Sequence, residues 1–171
     1  MRVLHILQSS RISGAENVVA DICMMFEGEH EMMYCSPDGS IRQALADRGV
    51  KYFPLKRLCA NEIKRAVNSF KPDIIHAHDV RVTVLTAIVS GKIPFISHLH
   101  GNNTDMQKPG LKPFLYMFAV KRAKKLIVVS ESCLSQYIFK KQIEEKTIHL
   151  RNIVYTPRIE RLFTKDPLNY K

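Results

Sequence analysis

The sequence predicts an α/β protein with a Rossmann-like, doubly wound, mostly parallel sheet of about six or seven strands and helices on both faces. Short, nearly continuous apolar runs such as "RVLHIL" read as strands buried on both faces. Segments with apolar residues at helical spacing lie between them. The two kinds alternate along the chain, as repeated β-α-β units require.

The elements follow in order. "RVLHIL" (2–7) is the first strand. "GAENVVADICMMF" is a helix, with Val18, Val19, Ile22, Met25 and Phe26 at helical spacing. "EMMYCS" is the second strand, and "GSIRQALADRG" a short helix stopped by Gly49. "VKYFPL" is the third strand. "NEIKRAVNSFKP" is a helix ended near Pro72, which cannot continue it. "DIIHAHD" is the fourth strand. "VRVTVLTAIVSG" is β-branched, but its length and its closing Gly91 favour a helix. "PFISHLHG" is the fifth strand, followed by the loop "NNTDMQKPG" and a helix from about Leu111 to Lys124. "KLIVVSES" is the sixth strand, "SCLSQYIFKKQ" a further helix, and "KTIHLRN" a candidate seventh strand. Residues 156–171 carry two prolines and no clear period, and read as a linker or tail.

The 171 residues suit one domain with its own core. No signal-peptide pattern opens the sequence, and "FLYMFAV" is far too short to span a bilayer, so a cytoplasmic location is expected. Cys23, Cys35, Cys59 and Cys133 are scattered with no C-x-x-C pair, which reads as reduced thiols. The net charge of +10 favours an anionic partner. Nucleic acid is disfavoured, because no readout motif accompanies the charge.

In a doubly wound sheet, ligands bind beyond the carboxyl ends of the strands, where the strand order reverses. The loops leaving strands one, four and five there are "SSRISGAE", "HDVR" and "HGNN". Ser13 and Glu16 have the spacing of a capping box, and Gly14 lets a ligand approach the helix N-terminus. Arg11 adds a charge. A well-capped helix alone also explains these residues. The loop matches neither a dinucleotide fingerprint nor a P-loop.

"HAH" and "HLH" place His76 and His78, and His98 and His100, on shared strand faces. Four histidines on neighbouring strands raise a metal site, but no carboxylate or cysteine beyond Asp79 joins them, and no metal is expected. His76 and His98 read as core histidines. His78 and His100 each end a strand at the predicted cleft, where binding or proton handling is plausible. Residues 108–125 carry six basic side chains and no acidic one around an apolar centre. They read either as a buried helix with basic ends or as a helix lying in an anionic membrane interface.

"RVLHILQSSRISGAENVVADI", "KPDIIHAHD", "PFISHLHGNN", "KKLIVVSES" and "HLRNIV", in this order, resemble the amino-terminal half of family 4 glycosyltransferases, retaining enzymes of GT-B fold. The resemblance covers residues 1–155 and implies a Rossmann-like acceptor domain, with 156–171 leading toward a carboxyl-terminal donor-binding domain absent from this sequence. It places Ser13, Gly14, Glu16 and Gly101 near the donor and its phosphates. It makes His100 the residue that contacts the transferred sugar. Asp79, Arg81, Asn102, Ser130 and Glu131 line the acceptor side or the cleft, with His78 and Arg11. Asn152 matches the asparagine of the family's "PNG" turn, while Arg151 and Ile153 depart from it. The donor is a nucleotide-sugar, and no cofactor or metal is implied. The acceptor is a saccharide or lipid-linked saccharide in capsule or other surface polysaccharide synthesis, met at the inner face of the plasma membrane. The 171-residue chain alone is expected to be inactive. A non-catalytic subunit of a split transferase, or an unrelated nucleotide- or anion-binding module, stays open as an alternative.

Overall fold

The computed structural model describes residues 1–101 and 104–165. Strands β1 (Arg2–Ile6), β2 (Glu31–Pro37), β3 (Tyr52–Leu55), β4 (Ile74–His78), β5 (Phe95–Leu99), β6 (Lys125–Val128) and β7 (Thr147–His149) form one sheet. Their order is β3-β2-β1-β4-β5-β6-β7. Every pairing is parallel, so the sheet is fully rather than mostly parallel. The order reverses between β1 and β4, the expected switch point.

Helices α1 (Gly14–Met25) and α2 (Ile41–Ala46) cover one face, packing Val19, Ala20, Ile41 and Leu45 on Leu7 and Tyr34. Helices α3 (Ala60–Phe70), α4 (Asp79–Val89), α5 (Leu111–Arg122) and α6 (Glu131–Ser135) cover the other. Helix α3 shows the logic. Ile63, Ala66, Val67 and Phe70 form its buried stripe, and Lys71 closes it in the left-handed conformation before Pro72. Strand alternation sends Leu4, Ile6, Ile75 and Ala77 into that core. It therefore sends His5, His76 and His78 to the opposite face.

Two segments depart from the sequence reading. The helix expected over 132–142 ends at Ser135, with short 3-10 turns at Lys140–Gln142 and Glu144–Lys146. Tertiary bonds explain the break: the Ile138 N–H donates to the Met106 carbonyl at 3.1 Å, and the buried Tyr137 hydroxyl donates to the Pro113 carbonyl. The second is Thr156–Lys165, expected without regular structure, which forms helix α7. Arg158 anchors it to α1 through a two-pronged pair with the buried Asp21, at 2.7 and 3.1 Å. No described helix is long and apolar enough to cross a membrane.

Candidate functional site

The loops leaving β1, β4 and β5 meet in an open pocket of about 310 Å³ lined by Gln8, Ala15, Asp79, Arg81, His100, Gly101 and Lys112. Four of these, Asp79, Arg81, His100 and Gly101, are among the residues expected from the sequence. Gln8 and Lys112 are not. Gln8 follows the last apolar residue of the first run, and Lys112 belongs to the basic segment, so neither carries a motif of its own.

Beside the pocket, Ser13 stands at the N-cap of α1 in extended backbone, as its spacing predicts. The capping box itself does not form. The Ser13 hydroxyl donates to the Glu16 carboxylate, and no side chain caps the helix. Glu16 is buried, so its carboxylate finds the nearest donor rather than reaching back to the N-cap amide. The first-turn amides are thereby left without a side-chain partner. A Cβ built on Gly14 meets nothing within 4 Å, and its φ is not positive. Nothing in the fold requires glycine here, and its openness is directed outward.

Asp79 is held in the left-handed region at φ 67°. Its Oδ1 accepts the His100 N–H at 3.4 Å, linking the ends of β4 and β5. Burial raises its carboxyl pKa, opposed by that amide and helped by the Glu16 charge. A chain of buried hydroxyls supports its backbone. Tyr116 bonds Ser97 at 3.0 Å, Ser97 bonds Thr83 at 2.8 Å, and Thr83 donates to the Asp79 carbonyl at 2.8 Å. Strained backbone fixed by its surroundings is common at ligand sites.

Beneath His100 lies a group larger than the sequence indicated. The register pairs His5 with His76 and His78 with His98, which brings five imidazoles onto one face across β1, β4 and β5. Rings of His76 and His78 are 4.2 Å apart, and those of His98 and His100 4.0 Å. His78 is wholly buried between His5 and His100, at 3.2 and 2.8 Å, so it underlies the cleft instead of facing it. Burial depresses all five pKa values: His5 to about 4, His98 to about 3, His100 to about 4, and His76 and His78 well below the usual value. The charge of Glu16 and the nearby Asn152 side chain oppose the shift at His100. At neutral pH the rings are uncharged. His5 escaped the sequence reading because "RVLHIL" holds a lone histidine whose neighbours come from β4.

Arg11 is exposed on the β1 loop and does not line the pocket. Ser130 and Glu131 are exposed at the N-terminus of α6, beyond β6 and also outside the pocket. Asn102 lies outside the described residues.

Comparison with known proteins decides the family. The family described as Glycosyltransferase Family 4 matches residues 12–154. The chain belongs to that family. No curated protein matches it. Among solved structures it is similar to Anabaena HepE (Alr3699) in complex with UDP-glucose, with a TM-score of 0.76 and 17% identity over 100% of this chain and 51% of that one. It is also similar to the apo form of the lipopolysaccharide outer core galactosyltransferase WaaB, with a TM-score of 0.66 and 17% identity over 90% and 46% of the chains. A third is the UDP-GlcNAc 2-epimerase from Neisseria meningitidis bound to UDP-GlcNAc, with a TM-score of 0.60 and 14% identity over 96% and 54%. These likenesses concern the fold. The family 4 chain spans about half the length of these proteins, consistent with the amino-terminal domain of a GT-B glycosyltransferase.

Proposed function

We propose that this chain is the acceptor-side half of a retaining glycosyltransferase that moves a sugar from a nucleotide-sugar to a saccharide or lipid-linked saccharide in surface polysaccharide synthesis. The observation that carries the reading is the convergence of the uncapped α1 N-terminus, Asp79, His100 and Gly101 around one pocket at the switch point. The helix end and Gly14 face the diphosphate, whose negative charge suits the free amides. His100 contacts the transferred sugar. As the bond from anomeric carbon to phosphate oxygen breaks, the acceptor oxygen bonds that carbon and its proton passes to the leaving phosphate. Fixed donors around that phosphate stabilise its growing charge, and this scheme needs no metal.

Two relatives of the same fold support a nucleotide-sugar ligand, one solved with UDP-glucose and one with UDP-GlcNAc. The second is an epimerase, so the fold alone does not select the reaction, and the transferase reading rests on the family. The chain spans about half the length of these relatives, and binding without turnover is what this reading expects of that half alone. Calorimetric titration with UDP-glucose, UDP-GlcNAc and GDP-mannose tests it. Binding weakened at least tenfold by Gly14→Leu and by His100→Ala supports the reading. Binding of free nucleotide unaffected by either overturns it.

Helix α5 supports work at a membrane surface. Leu111, Phe114, Leu115 and Phe118 all point to solvent, Leu111 at 74% and Phe118 at 49% exposure. Tyr116, Met117, Ala119 and Val120 pack inward. The helix is thus half core and half exposed apolar ridge, rather than buried all round. Lys108, Lys112, Lys121, Lys124 and Lys125 are exposed on the same segment, where anionic headgroups would meet them.

A further inference from the structure

We propose that the buried pair His5 and His78 acts as a positioning relay that fixes the proton of His100 on Nδ1, making that ring a hydrogen-bond donor to a ligand oxygen in the switch-point pocket. Only the identity of the ligand rests on the nucleotide-sugar reading above; the proton arrangement does not.

Proton balance decides the arrangement. The three imidazoles are neutral and carry three ring protons between them. His78 bonds His100 through Nδ1 at 2.8 Å and His5 through Nε2 at 3.2 Å, and each bond holds one proton. The third proton must therefore stand at an end of the row, on Nε2 of His5 or on Nδ1 of His100. Both atoms are buried and lack a partner among the described residues.

The two ends differ. His5 is 1% exposed, so a proton on its Nε2 would leave a donor unmet inside the protein, which is unfavourable. At His100 the Glu16 charge and the Asn152 side chain both favour a proton on the ring. That half-buried ring also lines the pocket, where a ligand oxygen can accept. The row then runs one way. Nδ1–H of His5 donates to Nε2 of His78, and Nδ1–H of His78 donates to Nε2 of His100. His98 does not compete for these protons: it stacks on His100 with ring centres 4.0 Å apart, and neither of its nitrogens bonds a described residue.

The consequence is chemical. With Nε2 accepting from His78 and Nδ1 protonated, His100 has no lone pair left to take a proton. It can donate to a sugar hydroxyl or a phosphate oxygen, but it cannot serve as general base toward an acceptor hydroxyl. This agrees with a transfer in which the acceptor's proton passes to the leaving phosphate. His5 and His78 do not line the pocket and act through His100, so both are positioning residues.

Nuclear magnetic resonance of the nitrogen-15-labelled chain at neutral pH reads each ring's tautomer from its two-bond proton–nitrogen correlations. The unliganded protein should show His100 in the Nδ1–H form, opposite to the form imidazole side chains favour in water. A nitrogen–nitrogen coupling should cross the His78–His100 bond. In His78→Phe, His100 should shift toward the Nε2–H form, and UDP-glucose affinity measured by calorimetry should fall at least threefold. His76→Phe, on the same sheet face but outside the row, should change neither. An Nε2–H tautomer of His100 in the unliganded parent overturns the relay. So does an unchanged His100 tautomer in His78→Phe shown by circular dichroism to be folded. If that variant does not fold, the parent spectrum decides alone. Unchanged UDP-glucose affinity in His78→Phe, where His100→Ala lowers it, overturns the positioning role. A parent chain that binds no nucleotide-sugar counts against the transferase reading alone, and the tautomer of the unliganded protein still decides the relay.

Discussion

Nδ1 of His78 and Nε2 of His100 lie 2.8 Å apart at the centre of the sheet. The other nitrogen of His78 meets Nδ1 of His5 at 3.2 Å. A neutral imidazole carries one donor and one acceptor, so His78 must donate to one neighbour and accept from the other. The proton position on His100 is thereby tied to that on His5, two strands away.

Removing the far end of that chain tests the tie. His5→Phe keeps the ring volume and leaves Nε2 of His78 without a partner. An unfolding free energy lower by about 1–3 kcal/mol is expected. Urea unfolding with an unchanged slope would show that the loss is in stability alone.

Acid should unfold the protein earlier than ordinary histidines would predict. Folded-state values near 3 to 4 lie below the unfolded value of 6.5. Stability is therefore complete above about pH 6.5 and falls as the pH drops toward 4, because the unfolded chain gains protons that the folded one refuses. Thermal unfolding from pH 7.5 to 4.5 should show a steady fall in Tm. His76→Phe, combined with His98→Phe, should flatten it.

Gly14 separates fold from function. With open space at its Cβ and no positive φ, Gly14→Leu should unfold within about 1 kcal/mol of the parent, the ordinary range for an exposed helix position. Its nucleotide-sugar affinity should nevertheless drop at least tenfold. Equal loss of stability and binding would assign the glycine to the fold instead.

The ion pair of Asp21 and Arg158 should be unequal in its two halves. Arg158→Ala leaves a buried carboxylate unpaired and is expected to cost about 3 kcal/mol. Adding Asp21→Asn should recover part of that loss. A double-mutant cycle in denaturant measures the coupling.

Vesicle binding should follow the apolar ridge of α5. Phe114→Ser with Phe118→Ser should abolish co-sedimentation with anionic vesicles while leaving Tm within a few degrees, since both side chains are already exposed. Lys121, Lys124 and Lys125 to Glu should weaken it more at low salt than at high salt. Arg122 is unsuitable for this purpose, because its guanidinium bonds the Ala87 carbonyl at the end of α4 and a change there would disturb packing.

The alternation of strand and helix was legible because each strand of a buried parallel sheet is a local apolar run. Asp79, Arg81, His100 and Gly101 were legible because the strand ends at a switch point can be placed from strand order. His5 was not, since only the pairing of β1 with β4 makes it a neighbour of His76. Helix α7 was hidden for a similar reason, as its described anchor is an acid on α1. Glu16 kept its capping spacing but lost the capping bond, because burial changed which partner its carboxylate could reach.

The β1–β4 pairing also has a kinetic consequence. It joins Val3 to Ile74, the widest sequence separation of any neighbouring strands in the sheet. Closing so long a loop is entropically costly, and non-local parallel pairing is slow. The two halves of the sheet can each gather local contacts before the chain commits to that junction. The histidine cluster and the pocket are then among the last parts to form, and a chain caught before that step would expose the central strand edges where association with other chains begins.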